Sequence, residues 1–303
     1  MKKIVIENKR FALTLGEDAR AISLVLKENG EECLNTNEGI AFFSLTEERP
    51  YNNEIKLAHP NKKTTFQANS LVLDGDKLVV GFELIAFQAV VSIRKTDDYV
   101  AFDLEEFLLK PETFGRLSMS PPPVYEFRLI QLPVKTMDSF GEWLNVSFNE
   151  KVAVNVLAAC PYTRIDSEKR NGFRIMTADT MRDIKLKNCP AALIVAKPDE
   201  LLDCIDTLER DFDLPRGVES RRKKELNRSI YWTASIGPDN VDEHIYWAKK
   251  GGFDMMLIYY TSLFKTNYGY DLSGDYDFSE RYPNGIEDLK AMLDKIKAAG
   301  SPS

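Results

Sequence analysis

For about its first 198 residues the chain reads as a succession of strands with no amphipathic helix between them. In Tyr99-Val-Ala-Phe-Asp-Leu-Glu105, Val100, Phe102 and Leu104 fall on one side, and Ala101, Asp103 and Glu105 on the other. Alternation of period two marks a strand with one buried face. Leu71 to Leu73 and Leu78 to Val80 flank Asp74-Gly75-Asp76-Lys77, a predicted hairpin because glycine accepts positive φ. Further strands are expected at 11–15, 21–26, 40–45, 90–93, 124–130, 152–158, 173–176 and 191–196. Many strands without helices between them point to an antiparallel sandwich. The span exceeds an immunoglobulin unit and predicts two large twisted sheets. Pro121-Pro122-Pro123 belongs in a loop or an edge crossing, since proline donates no ladder hydrogen bond.

The pattern changes at Lys197-Pro198. From 199 to 210, Leu201, Leu202, Ile205 and Leu208 fall at helical spacing, and a second, very polar helix is predicted over 218–227. This second helix carries Arg221-Arg222-Lys223-Lys224, read as a solvated helix face. The stretch 199–227 lacks Gly/Ser enrichment, so it is expected to pack on the sandwich as a connector and not to act as a flexible linker.

From 228 onward the chain alternates strand and helix. A strand over 229–236 precedes a helix over 241–250, with Asn240 as its cap and Glu243 three residues on, and Gly251-Gly252 ends it. The apolar run 253–260 has the look of a parallel strand covered on both faces. After a long loop, Asn284 is expected to cap a second helix, with Glu287 in the capping-box position. Ile286, Leu289, Leu293 and Ile296 would form its buried stripe, and Gly300 would close it. Two strand–helix units in succession argue for a parallel sheet. The domains read as a β-sandwich over 1–198, a helical linker over 199–227, and an α/β region over 228–303.

Composition limits the partners. Hydrophobic residues make up 44% of the chain, enough for a buried core. Forty basic against 47 acidic residues give a net charge of −7, which argues against a nucleic-acid partner. No stretch approaches the ~20 apolar residues of a membrane span, and the apolar run after Met1-Lys2-Lys3 is too short for a leader. A soluble, cytoplasmic chain is therefore expected. Cys33, Cys160, Cys189 and Cys204 are widely spaced, and His59 and His244 lie far apart. No metal site and no cofactor are expected, and the thiols are read as reduced and mostly buried.

The segment Gly274-Asp-Tyr-Asp-Phe-Ser-Glu-Arg-Tyr-Pro-Asn-Gly-Ile-Glu-Asp-Leu-Lys290, ending in Ala298-Ala299-Gly300, resembles the second βα unit of α-galactosidase-like glycoside hydrolases. In that family a G-D-W-like element and a (F/Y)-P-x-G helix start sit early in a (β/α)8 barrel, and a large mutarotase-like β-sandwich precedes the barrel. The resemblance implies a mainly β chain with an α/β tail: a large antiparallel supersandwich followed by the first two βα units of a TIM-type barrel. It departs from the family at Ile258-Tyr-Tyr-Thr-Ser-Leu-Phe264, where relatives carry a D-D-G-W-like cluster.

By the same resemblance, the chain is the N-terminal part of a glycoside hydrolase acting on oligosaccharides. The catalytic carboxylates would lie on later strands, beyond residue 303, leaving this chain alone inactive. A non-catalytic carbohydrate-binding or structural sandwich is the alternative, and an epimerase is a third. The candidate substrate-binding residues are Asp275 and Tyr276, where the G-D-W element stands, with Asp271, Tyr260 and Trp232. Carboxylates accept hydrogen bonds from sugar hydroxyls, and aromatic faces cover the C–H faces of a pyranose. A solvated acidic loop, with Trp232 and Tyr260 in the core, is the other reading of the same residues. Trp247 is read as packing and His244 as a surface residue. Incomplete strand pairing also predicts self-association.

Overall fold

The computed structural model describes residues 2–49, 62–83, 87–109, 124–223, 228–265 and 277–300. The chain divides into two compact units, Met1–Val218 and Glu219–Ser303. Pro121 to Pro123 fall outside the described residues.

In the first unit, β1 (Lys3–Glu7), β2 (Phe11–Gly16), β3 (Ala21–Leu26) and β4 (Glu31–Glu32) form a four-stranded sheet in sequence order. Next along the chain come β5 (Ser44–Arg49), β6 (Lys62–Asp74), β7 (Lys77–Phe82), β8 (Phe87–Lys95), β9 (Val100–Leu109) and β10 (Val124–Lys135). They are followed by β11 (Ser139–Gly141), β12 (Val146–Phe148), β13 (Ala153–Ala158), β14 (Arg164–Arg170), β15 (Phe173–Met181) and β16 (Ala191–Ala196). These twelve strands make one sheet in the order β11-β12-β13-β16-β9-β8-β7-β6-β5-β10-β15-β14. Neighbouring strands in both sheets run antiparallel.

The antiparallel β character matches the alternation in the sequence, but the expectation of two large sheets is corrected. The sandwich is mostly one sheet curled on itself. Strand β6 makes this possible, pairing with β5 through residues 62–67 and with β7 from Ala68 onward. The register slips between Ala68 and Ser70, and such an extra residue bends a strand and increases its twist. At this point a Cβ on Gly81 would lie 2.1 Å from the Ser70 hydroxyl, so a glycine admits the crossing. The predicted hairpin follows directly, with Asp74 paired to Lys77 and Gly75 at φ 61°.

Strands far apart in the sheet order meet across the core. Phe107 of β9 and Phe82 of β7 approach Phe127 of β10, with ring centroids 5.9 and 6.3 Å apart. Phe42 and Phe43 complete the cluster: Phe42 lies 5.1 Å from Phe102, and Phe43 lies 6.2 Å from Phe127. Both side chains are fully buried. Consecutive residues of a strand point to opposite faces, so a segment that sends both into the same core leaves strand geometry. The strand expected at 40–45 accordingly begins only at Ser44.

Helix α1 (Leu201–Asp211) covers the other face of β9 and β16. Its Leu201, Cys204, Ile205 and Leu208 are buried against Tyr99, Ala101, Ala192 and Ile194, whereas Leu202 points outward. Strand β16 is consequently buried along its whole length. Alanines 192 and 196 lie under the helix, while Leu193 and Val195 enter the main core. Polar contacts fix the helix: Asp98 accepts from Arg10 Nε at 2.9 Å and Thr207 Oγ1 at 2.9 Å, and the Tyr99 hydroxyl donates to Asp211 at 2.6 Å. Helix α2 (Gly217–Arg222) exposes Arg221 and Arg222, and residues 224–227 of the expected helix lie outside the described residues.

In the second unit, β17 (Ile230–Thr233) and β18 (Met255–Ile258) pair in parallel, with α3 (Val241–Lys250) between them in sequence and α4 (Ile286–Ala298) after. The parallel strand–helix pattern is as read, with shorter strands. Ile236, Val241, Tyr282, Met292 and Ile296 are the core, with Met256 and Ile258 packed against it. Asn240 does not cap α3 with its side chain. Its amide accepts from Gly237 N at 2.8 Å and donates to the Ser235 carbonyl at 3.0 Å, tightening the preceding loop instead. Nor does Asn284 cap α4: the cap is Gly285 at φ 58°, and Asp288 reaches back to accept from Asn284 N at 2.8 Å. The buried stripe is centred on Met292 and Ile296, and Ile286 is exposed.

Replacing Leu208 by Ala is expected to destabilise the first unit by about 2–5 kcal/mol. Leu202→Ala should stay within about 0.5 kcal/mol of the parent; urea denaturation checks both. Burial pushes the thiols of Cys33, Cys189 and Cys204 up to about 12. Since the thiolate is the reactive form, a disulfide reagent should label these three only after unfolding.

Candidate functional site

In open α/β sheets, ligands bind outside the carboxyl ends of the parallel strands. In β17 and β18, Trp232 pairs with Leu257 and Thr233 with Ile258. Alternation turns Tyr231, Thr233, Met256 and Ile258 to one face, and Ile230, Trp232, Met255 and Leu257 to the other. The first set packs on the helices: Met256 and Ile258 join the core, and the Tyr231 hydroxyl meets His244 Nδ1 of α3 at 2.9 Å. The second set lies open, with Trp232 59%, Ile230 45% and Leu257 40% exposed. The expectation that β18 is covered on both faces is thus corrected; the helices cover only one.

At the carboxyl ends of the strands three aromatic rings adjoin. The Trp232 and Tyr259 centroids are 5.6 Å apart, and those of Tyr259 and Tyr260 are 4.6 Å apart. The backbone holds them. Tyr259 N donates to the Thr233 carbonyl at 2.9 Å, and the Tyr260 carbonyl accepts from Leu263 N at 2.9 Å and Phe264 N at 3.1 Å, closing a 3-10 turn over Tyr260–Ser262. Of the residues singled out in the sequence, Trp232 and Tyr260 are brought to one ledge. Asp271, Asp275 and Tyr276 lie outside the described residues. The loop that carries them has its two ends joined, with Lys265 N donating to the Asp277 carbonyl at 2.8 Å and Ser279 N to that of Leu263 at 2.9 Å. Tyr282 is a core residue whose hydroxyl donates to the Ile236 carbonyl at 3.0 Å.

The loop after β17 is stiffened by ion pairing. Arg281 grips Asp239 at 3.1 and 2.8 Å and donates to the Ser235 carbonyl at 2.6 Å. The guanidinium holds the Asp239 carboxyl below its ordinary range. His244 is half-buried, with its ring nitrogens 2.9 Å from Tyr231 and 3.3 Å from Asn240, and is not a free surface residue. Trp247 is 46% exposed, against Tyr246, and so is not a packing residue of the core.

A second constellation, not singled out in the sequence, lies on the first unit. Asp179 of β15 is fully buried, yet it faces two arginines. Arg128 Nε and Nη2 reach it at 2.6 and 3.2 Å, and Arg164 Nη2 at 2.9 Å; Arg164 also reaches Glu126 at 3.0 Å. Burial, and then the Asp179 charge, push the Glu126 carboxyl above its ordinary value. The signal was register, not spacing. Arg164, Asp179 and Arg128 sit on three strands and become neighbours only through the ladder.

Among the described residues no cluster of three or more His, Cys, Asp or Glu side chains is placed to hold a metal ion. No helix among them is long and apolar enough to cross a membrane.

No protein-family model matches the sequence, and no curated protein matches it. Among solved structures, the chain is similar to a GH31 family sulfoquinovosidase from E. rectale in complex with an aza-sugar inhibitor, at 11% identity and a TM-score of 0.41; the match covers 96% of this chain and 46% of that one. It is also similar to an α-N-acetylgalactosaminidase from Bifidobacterium bifidum, at 11% identity and a TM-score of 0.49, covering 98% of this chain and 58% of that one. The chain thus spans about half the length of these structures.

Asp179→Ala would leave two guanidiniums facing no buried charge and is expected to cost about 3–5 kcal/mol, measurable by chemical denaturation. Glu126 carries a pH signature. Its folded pKa is raised, so the folded chain holds that proton to higher pH than the unfolded chain does. Its contribution therefore favours folding less as pH rises through the window between the two values. Glu126→Gln should flatten the stability–pH curve in that acid window.

Proposed function

We propose that this chain is the sandwich and barrel-start portion of a glycoside hydrolase, and that it binds oligosaccharide at the carboxyl ends of β17 and β18. In this reading residues 1–198 are the mutarotase-like sandwich, 199–227 the helical linker, and 228–303 the first βα units of a (β/α)8 barrel. The observation that carries it is the ledge of Trp232, Tyr259 and Tyr260, at the strand ends where barrel sites lie. Indole and phenol rings offer flat apolar faces to the C–H face of a pyranose, and the tyrosine hydroxyls can bond its substituents. Asp271, Asp275 and Tyr276, on the loop that follows, would accept and donate hydrogen bonds to the sugar hydroxyls.

Hydrolysis asks for more than a ledge. Two carboxyl groups must flank the glycosidic bond at about 5–9.5 Å, and barrel enzymes gather such groups from the ends of several different strands. Two parallel strands supply binding surface, so the chain by itself is expected to bind oligosaccharides without cleaving them. The open face of Ile230, Trp232 and Leu257, beside strand edges that have no partner among the described residues, also favours self-association at high concentration.

Trp232→Ala should weaken oligosaccharide binding about tenfold, about 1.4 kcal/mol. Trp232→Phe should retain most of it, and Tyr246→Ala, on the exposed face of α3, should change nothing. Isothermal titration against oligosaccharides chosen from a glycan array makes the comparison. Equal binding by the Trp232→Ala chain would sink the proposal. Sedimentation should show weaker self-association for Trp232→Ser than for the parent.

A further inference from the structure

The first unit holds a cavity of about 900 Å³ over the sheet formed by β14, β15, β10, β5 and β6. We infer that this cavity is a second binding site, for a neutral saccharide or a similar polyhydroxyl compound, independent of the aromatic ledge in the second unit. Its size falls within the about 300–1,000 Å³ of small-molecule sites.

The floor is unusual for a sheet face. Strand register sets Asp179 opposite Arg128, Arg128 opposite Ser44, and Ser44 opposite Gln67; in the next row Asp166 faces Thr177, and Thr177 faces Gln131. Ser44, Gln131, Thr177 and Asp179 are all buried. A sheet face turned away from water is ordinarily apolar, because each buried polar group needs a partner to offset its lost hydration. Here the partners are supplied in a chain that ends in unused donors.

The chain of donors can be followed without ambiguity, because arginine only donates. Arg128 places Nε and Nη2 on Asp179 at 2.6 and 3.2 Å, and Nη1 on Gln131 Oε1 at 2.6 Å. The Gln131 amide nitrogen must then donate, and it does so to the Ala41 carbonyl at 2.9 Å and Gln67 Oε1 at 3.2 Å. That acceptance fixes the flip of Gln67 and leaves its NH2 group with no acceptor among the described residues. Three of the five Arg128 N–H groups are engaged, so two have no acceptor among the described residues. Arg128 and Gln67 both line the cavity, so donors held in place by the sheet are offered to an incoming acceptor.

The remaining lining selects the class of ligand. Five carboxylates, Glu38, Glu83 and Asp166 among them, and three guanidiniums line the cavity. The excess of negative charge opposes a phosphate or a sugar acid. A hydroxyl group can accept from Arg128 or Gln67 and donate to a carboxylate, so a molecule with several hydroxyls matches both sets. Phe173 and Ile175, which alternate onto the same face of β15 as Thr177, add apolar ground for its C–H face.

The test uses the full chain with Trp232→Ala and Tyr260→Ala together, which removes the ledge. Glucose, galactose, N-acetylgalactosamine and their disaccharides are titrated by saturation-transfer NMR, with inorganic phosphate and glucuronate as anionic probes. Binding of at least one neutral sugar is expected to persist, and adding Gln67→Ala should weaken it about tenfold. Gln67 is exposed, so this variant should keep the parent's melting temperature. The inference is overturned if the ledge-less chain binds no neutral sugar, if Gln67→Ala binds as well as its parent, or if the anions bind more tightly. Loss of all binding on removing the ledge would leave the ledge reading standing alone; loss on Gln67→Ala in the otherwise unaltered chain would leave only this one.

Discussion

Strand β6 changes partners partway along its length, and the first unit is organised by that change. One half of the strand belongs with β5 and β10, the other with β7, β8 and β9. The bulge after Ala68 and the close passage of Ser70 over Gly81 allow the bend. Because the sheet turns back on itself, Phe82 and Phe107 meet Phe127 from the opposite arm, and Phe42 and Phe43 fill the fold. A flat sheet of this many strands would leave both faces wet. Curling makes one face a continuous hydrophobic core, which is the main source of stability available to a β structure.

The same curl decides what the outer faces can be. On one arm, α1 covers β9 and β16, and the alanines of β16 let the helix approach. On the other arm, no such apolar element among the described residues covers the outer face of β10 and β15. There a carboxylate, two guanidiniums and amides satisfy one another above the core. Such a network is costly unless complete, since each member left unpaired would forfeit its hydration. The ordering that completes it also aims the spare donors of Arg128 and Gln67.

The second unit repeats the asymmetry with different chemistry. Helices α3 and α4 bury one side of the β17–β18 pair and leave Ile230, Trp232 and Leu257 on the other. Apolar residues on an open face are where interaction surfaces are found, and the tyrosines that follow β18 extend this one at the strand ends. In both units, then, a well-packed face backs one that is open or polar.

Much of the local structure was legible in the residues themselves. Strands β2, β3 and β16, the Gly75 hairpin and helix α3 lie where alternation, glycine and helical spacing put them, because each is decided by a few neighbouring residues. The aromatic ledge was half legible, since Trp232 and Tyr260 stand out once their strands are recognised. The caps at Asn240 and Asn284 went otherwise because Ser235, Gly237 and Asp288 competed for the same amides, and such competition is settled only in three dimensions. The start of β5 was misplaced because Phe42 and Phe43 both enter the core, and alternation cannot express that. By itself the sequence determined the strand-rich first part, the parallel strand–helix pattern after it, and the excess of acidic over basic residues. Tertiary structure alone decided that twelve strands form one curled sheet, and that Asp179, Arg128 and Gln131 share a face with Gln67. The physical reason is range: propensity and capping act over a few residues, whereas strand register joins side chains tens of residues apart, and a one-residue slip would turn them to opposite faces.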